Sequence, residues 1–161
     1  VKASRTVVVL GASLAPGAVR ANAADDDVLP PRPDHVVVVI EENHAFNQVV
    51  YAPYIRSLAR RGALFTSSFA IRHPSQPNYL ALFSGGDHGV HGDYCFTPIS
   101  APNLGGRLRD AGLSFAGFSE SMPSDGWLGC AFGAYERKHN PWSDFADLPA
   151  EVNLRFSRWP A

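Results

Sequence analysis

Val36-Val37-Val38-Val39-Ile40-Glu41-Glu42-Asn43-His44 is the stretch on which the fold turns. Val36 to Ile40 are five consecutive β-branched residues with no polar alternation. A short unbroken run of this kind suits a strand buried on both faces of a parallel sheet. Downstream, Pro53 to Arg61 places apolar residues at Tyr54, Ile55, Leu58 and Ala59, a helical spacing. Pro53 fits its first turn and Gly62 its C-terminal cap. Ala63 to Ile71 returns to strand-like composition. Asn78 to Ser84 is short and apolar, and reads as a helix whose N-terminus lies near Ser75. Asn103 to Ala111 predicts another helix, with Asn103 as cap, Leu104 and Leu108 facing inward, and Gly112 ending it. Leu113 to Phe118 is a strand candidate, and from Glu120 onward the chain reads mostly as loop. This alternation predicts an α/β fold with a mainly parallel sheet flanked by helices.

The 161 residues suit one modest domain. Hydrophobic residues make up 45% and charged residues 18%, a composition that supports a packed core. Net charge is −1 with no basic stripe, which argues against nucleic acid as a partner. No apolar stretch reaches the roughly 18 residues of a bilayer span, so stable membrane insertion is not expected.

Residues 1–23 read as a signal peptide: Lys2 and Arg5, a short apolar run from Val7 to Val19 broken by Gly11 and Pro16, then Ala21-Asn22-Ala23. The alternative is a first strand over Thr6 to Leu10. Residues 24–34, with Pro30, Pro31 and Pro33, read as a linker, and 35–161 as the domain. Export implies a secreted or periplasmic product. In an oxidising compartment Cys95 and Cys130 would form one disulfide; otherwise they are two separate thiols, and spacing does not decide.

In open α/β sheets, ligands gather beyond the carboxyl ends of strands, which is where Glu41, Glu42, Asn43 and His44 fall. Carboxylate and amide oxygens suit a hard divalent cation. The plainer reading is a solvated strand end with Asn43 opening a turn. Ser75 stands between Pro74 and Gln76-Pro77, which stiffen the backbone around its hydroxyl. A helix starting there would aim free N–H groups at an anion near a serine nucleophile, while the plainer reading is a helix N-cap. His73, His88 and His91 are candidates to bind phosphate or protonate a leaving group. Arg137, Lys138 and His139 either grip a phosphate dianion or form a solvated charged run.

Several strings, in order, carry a family resemblance: His35 to His44, Ala52-Pro-Tyr-Ile55, His73 to Tyr79, Leu80 to Gly85, Asn103-Leu104, and Tyr135 to Pro141. Together they resemble the phosphoesterase family of bacterial acid phosphatases and phospholipases C, within the alkaline-phosphatase-like superfamily. The resemblance implies an alkaline-phosphatase-like α/β fold. It implies that Glu42 and Asn43 are ligands of a divalent metal ion and that Ser75 is the nucleophile, on or near that metal. It places Asp93 near the position where related enzymes hold an asparagine against phosphate, and gives Lys138, His139 and His73 substrate contacts. Asn47 stands where many members carry aspartate.

Such enzymes complete their metal site with aspartate and histidine from a later segment, which is not found before Ala161. The chain is therefore expected to be the N-terminal part of the family domain, apparently truncated. The implied function is a secreted metal-dependent phosphoric ester hydrolase of acid phosphatase type, acting on small phosphomonoesters or lipid phosphates. The alternatives are a phospholipase C-type phosphodiesterase and a non-catalytic phosphate-binding remnant.

Overall fold

The computed structural model describes residues 4–11 and 31–160. Residues 1–3 and 12–23 of the expected signal peptide, and 24–30 of the expected linker, lie outside the described residues. In chain order the elements are β1 (Ser4–Gly11), β2 (His35–Glu42), α1 (Phe46–Val49), α2 (Pro53–Arg61), α3 (Ser75–Ser84), α4 (Leu104–Asp110), β3 (Ser114–Ser119), β4 (Ala131–Phe132), β5 (Tyr135–Glu136) and β6 (Asn153–Arg155). Short 3-10 turns occupy Arg137–His139, Pro141–Asp144, Ala150–Val152 and Phe156–Arg158.

The main sheet has the order β2-β1-β3-β6. β1 runs antiparallel to both neighbours, Val7 pairing with Val39 on one side and Phe118 on the other. β3 and β6 are parallel. Thus β2, β3 and β6 all point the same way, and helices flank them, so the fold is α/β. A small hairpin, β4-β5, stands apart.

The helix ends follow local chemistry. α2 begins at Pro53, where a missing N–H costs nothing, and its cap residue is Gly62. Asn103 caps α4: its side-chain oxygen accepts from the Gly106 N–H at 2.9 Å, and its amide donates to Asp147 at 2.8 Å. α3 ends at Gly85, whose φ of 79° is left-handed backbone that glycine takes without a Cβ penalty.

The core lies between α3, β3 and the Pro141–Asp144 turn. Leu80, Phe83, Phe115, Trp142, Phe145 and Val152 are buried there. Phe83 meets the rings of Phe115, Phe145 and Trp142 at 5.4, 5.7 and 6.4 Å, tilted or edge-on as aromatic quadrupoles favour. Gly117 of β3 lets the Trp142 indole lie directly on the strand, because a Cβ there would overlap the indole.

Three expectations change in detail. Val36, Val37 and Val39 are exposed, so β2 is not buried on both faces: it is an edge strand, and only Val38 of the valine run packs against the core cluster. Ala63 to Ile71 forms turns and bends rather than a strand, with Phe65, Phe69 and Ile71 exposed. The segment pairs with no described strand, and apolar composition alone does not supply backbone partners. The region after Glu120 is less irregular than expected, since its 3-10 turns carry Trp142 and Phe145 into the core.

Candidate active site

The carboxyl end of β2 and the N-terminus of α3 meet at one cavity of about 560 Å³. β2 delivers Glu42 and Asn43. The turn before α3 delivers His73 and Ser75. Asp93 and Lys138 also line it, as do Tyr79 and Leu82 of α3. A strand end and a helix start converge here because the crossover between parallel strands returns the chain to the same sheet edge.

Ser75 is the first residue of α3, and its hydroxyl makes no cap bond to the helix. It donates instead to Glu42 Oε1. The plainer reading of Ser75 as a helix cap therefore does not describe this geometry. Asn78 locks the preceding turn: its amide donates to the carbonyls of Arg72 at 2.8 Å and Pro74 at 3.0 Å, and its oxygen accepts the Arg72 N–H at 3.0 Å. A serine held between a fixed turn and a carboxylate keeps one rotamer facing the cavity.

Lys138 Nζ donates to Asp93 Oδ2 at 2.8 Å, and the Gln76 backbone N–H donates to Asp93 Oδ1 at 3.0 Å. Both Asp93 oxygens are thus engaged. Burial pushes the Asp93 carboxyl up, but the Lys138 ammonium and the Gln76 N–H outweigh it and hold it below the usual carboxylate range. The same bond, with Asp93 beside it, raises Lys138 above the ordinary lysine value. Lys138 therefore stays cationic at the cavity wall throughout the neutral range.

His139 Nε2 stands 3.6 Å from Glu42 Oε1, and its ring lies 5.4 Å from that of Tyr79. Burial pushes the imidazole down, and Glu42 pulls partly against it. Burial also pushes the Tyr79 hydroxyl up, with Glu42 adding to the shift, so it stays protonated. Of the other histidines, His73 lines the cavity, whereas His88 pairs with Ser84 at 2.7 Å and His91 stands 4.0 Å from Asp87. His44, His88 and His91 do not line the cavity.

Glu42, Asn43 and Ser75 put a carboxylate, an amide and a hydroxyl on one wall, a hard-oxygen set that fits a divalent cation. It supplies only part of a shell, since such ions take six or more oxygens. Among the described residues no group of three or more His, Cys, Asp or Glu side chains gathers as a metal cluster.

Sequence reasoning missed what stands behind this wall. Gln76 is fully buried, and Arg137 forms a buried ion pair with Asp144 at 3.0 Å. Burial pushes the Asp144 carboxyl up to about 6, with Arg137 and Gln76 pulling it back, so it is ionised at neutral pH. Arg137 also donates to the carbonyls of Leu128 at 3.0 Å and of Phe96. Its place in a cationic run hid it, because composition does not separate a buried arginine from the exposed charge beside it. Cys95 and Cys130 form a disulfide, with Cα atoms 5.5 Å apart, next to these same segments.

Comparison with known proteins places this geometry in context. The Phosphoesterase family model matches residues 48–158. A phosphatidylinositol-3-phosphatase of Mycobacterium tuberculosis (strain ATCC 25618 / H37Rv) is 43% identical over 132 residues, covering 78% of this chain and 44% of that protein. A phosphate-repressible acid phosphatase of Penicillium chrysogenum is 32% identical over 114 residues, covering 67% of this chain and 28% of that protein. A probable acid phosphatase of Kluyveromyces lactis is 33% identical over 113 residues, covering 65% and 27%. The chain thus spans less than half the length of these relatives. No solved structure matches it at a significant level. A match across most of the chain, in the segment that carries Ser75, Asp93 and Lys138, decides membership: the chain belongs to the phosphoesterase family.

Proposed function

We propose that this chain carries the nucleophile-bearing part of an exported, metal-dependent phosphoric ester hydrolase of acid phosphatase type. The observation that carries the reading is the Ser75 hydroxyl donating to Glu42 in a cavity that the Lys138 ammonium also lines. Nucleophile and anion grip line the same space of about 560 Å³, enough for a phosphate ester.

Ser75 Oγ attacks phosphorus while its proton leaves along the bond to Glu42. Lys138 holds non-bridging oxygens, with Asp93 fixing the ammonium in place. The bond from phosphorus to the leaving alcohol breaks, and the alcohol oxygen takes a proton from water or from His73 at the cavity wall. Water then attacks the phosphoserine phosphorus. The Ser75 oxygen leaves and takes back the proton held on Glu42, and the attacking water's proton restores the group that protonated the alcohol, releasing phosphate. Glu42, Asn43 and Ser75 would hold a divalent cation, whose chemistry there is to lower the hydroxyl pKa and offset developing charge.

The relative named for phosphatidylinositol 3-phosphate makes a lipid-borne phosphomonoester one candidate substrate class, beside small soluble monoesters. The test is Ser75→Ala in the full-length protein, assayed on a chromogenic phosphomonoester and on a phosphodiester. Loss of at least about a thousandfold in monoester turnover, with unchanged circular dichroism, is expected for removal of a covalent nucleophile. Retention of most of the activity would overturn the assignment. Turnover of the diester alone would favour the phospholipase C reading, and no Ser75-dependent turnover of either would favour a phosphate-binding remnant.

A further inference from the structure

We infer that Gln76 is a positioning residue that fixes the Lys138–Asp93 pair in the cavity that Ser75 lines, through a buried clamp between two segments of the chain. The inference rests on the proposed roles of Ser75 and Lys138. Gln76 follows Ser75 directly, and its side chain is fully buried. Its oxygen accepts the Tyr94 N–H at 2.6 Å, and its amide donates to Asp144 Oδ2 at 3.2 Å. Tyr94 is the neighbour of Asp93. Asp144 in turn holds Arg137 at 3.0 Å, and Arg137 is the neighbour of Lys138.

One arm of the amide therefore ends beside Asp93, and the other reaches the neighbour of Lys138 through Asp144. An exposed lysine–aspartate pair contributes little by itself and holds two flexible side chains loosely. Here the Tyr94 backbone is tied directly to the residue beside the nucleophile, and the Arg137 side chain is tied to it through Asp144. The distance from Ser75 to the ammonium is thereby set by buried bonds rather than by the exposed pair. A buried amide with both polar ends engaged is costly to leave half satisfied, so the clamp has one low-energy arrangement.

The clamp predicts coupling, which a merely stabilising role does not. Inorganic phosphate binding to the full-length protein, read by calorimetry, supplies the probe, with monoester kcat and KM alongside. Lys138→Met should weaken phosphate binding about tenfold or more, as expected for loss of a charge-assisted contact. Gln76→Met, similar in shape but without hydrogen bonds, should weaken it comparably and raise KM more than it lowers kcat. The double variant should lose scarcely more than Lys138→Met alone, because the clamp acts only through that ammonium.

Gln76→Glu with Asp144→Asn reverses donor and acceptor while keeping the contact, and should recover most of the binding lost in Gln76→Glu alone. That pair keeps the test decisive if Gln76→Met fails to fold. Additive losses in the double variant, or no rescue by the reversed pair, would overturn the clamp while leaving Lys138 as the phosphate grip. If Lys138→Met leaves phosphate binding unchanged, the reading of the anion grip itself is wrong, and the clamp falls with it.

Discussion

Asp93 and Lys138 show how a side chain's role depends on its partners. Asp93 occupies the position expected to face phosphate, yet both its oxygens are taken by Lys138 and the Gln76 N–H. In the proposed function it acts on the phosphate only indirectly, by holding the cation that would meet it. The pH dependence follows from the two shifts. The folded Asp93 pKa lies below its unfolded value, so its contribution is present above about pH 3.9 and is lost as pH falls through the lower folded value. Folded Lys138 lies above its unfolded value, so its contribution is present below about pH 10.4 and is lost as pH rises through the higher folded value. The stability difference between wild type and Asp93→Asn should thus be flat between about pH 5 and 9 and shrink in acid, with a plateau of about 1 kcal/mol or less for so exposed a pair. Thermal melts of both proteins across that range measure it. A difference that grows in acid would mean Asp93 is not ionised by this pairing.

At the scale of elements, what was legible in the sequence is what local chemistry decides. Pro53, Gly62 and Asn103 mark helix ends because the backbone groups they satisfy or spare lie within four residues. The strand over Leu113 to Phe118 and the helix near Ser75 were legible for the same kind of reason, and the string His73 to Tyr79 pointed to the turn that brings Ser75 to the cavity. What was not legible depends on distant partners. The run Val36 to Ile40 has the composition of a central strand, but its exposure is set by what lies beside and over it, and in this fold it is an edge. Ala63 to Ile71 has strand-like residues but pairs with no described strand. Gln76 and Arg137 look like surface polar residues until Asp144, far along the chain, is brought against them. Two substitutions test the packing. Asn103→Ala removes the α4 cap and a partner of Asp147, and should cost about 1–2 kcal/mol in chemical denaturation. Gly117→Ala drives a methyl into Trp142 and should cost about 1–3 kcal/mol, with altered tryptophan fluorescence. A neutral Gly117→Ala would mean that the indole does not rest on β3.

At the scale of the whole molecule, β1 lies within residues 1–23, the segment read as a signal peptide. We propose export with cleavage near Ala23, and such cleavage would remove Ser4–Gly11 from between β2 and β3. Because β1 is antiparallel to both, its two neighbours run in the same direction. Once it is gone they can pair directly as parallel strands, giving a wholly parallel sheet β2-β3-β6. The connection between β2 and β3 already contains α2, α3 and α4, the helical crossover that parallel strands require. Direct pairing would satisfy the β2 and β3 edges that cleavage exposes, and an unpaired edge of valines is an aggregation hazard. N-terminal sequencing of the exported protein should find a start near Ala24. Hydrogen exchange of the chain beginning there should show Val36 to Ile40 amides as well protected as those of Ser114 to Ser119. Free exchange along β2 would mean that the strand does not close onto β3. An exported product that retains residues 1–23 would instead make β1 a permanent member of the sheet.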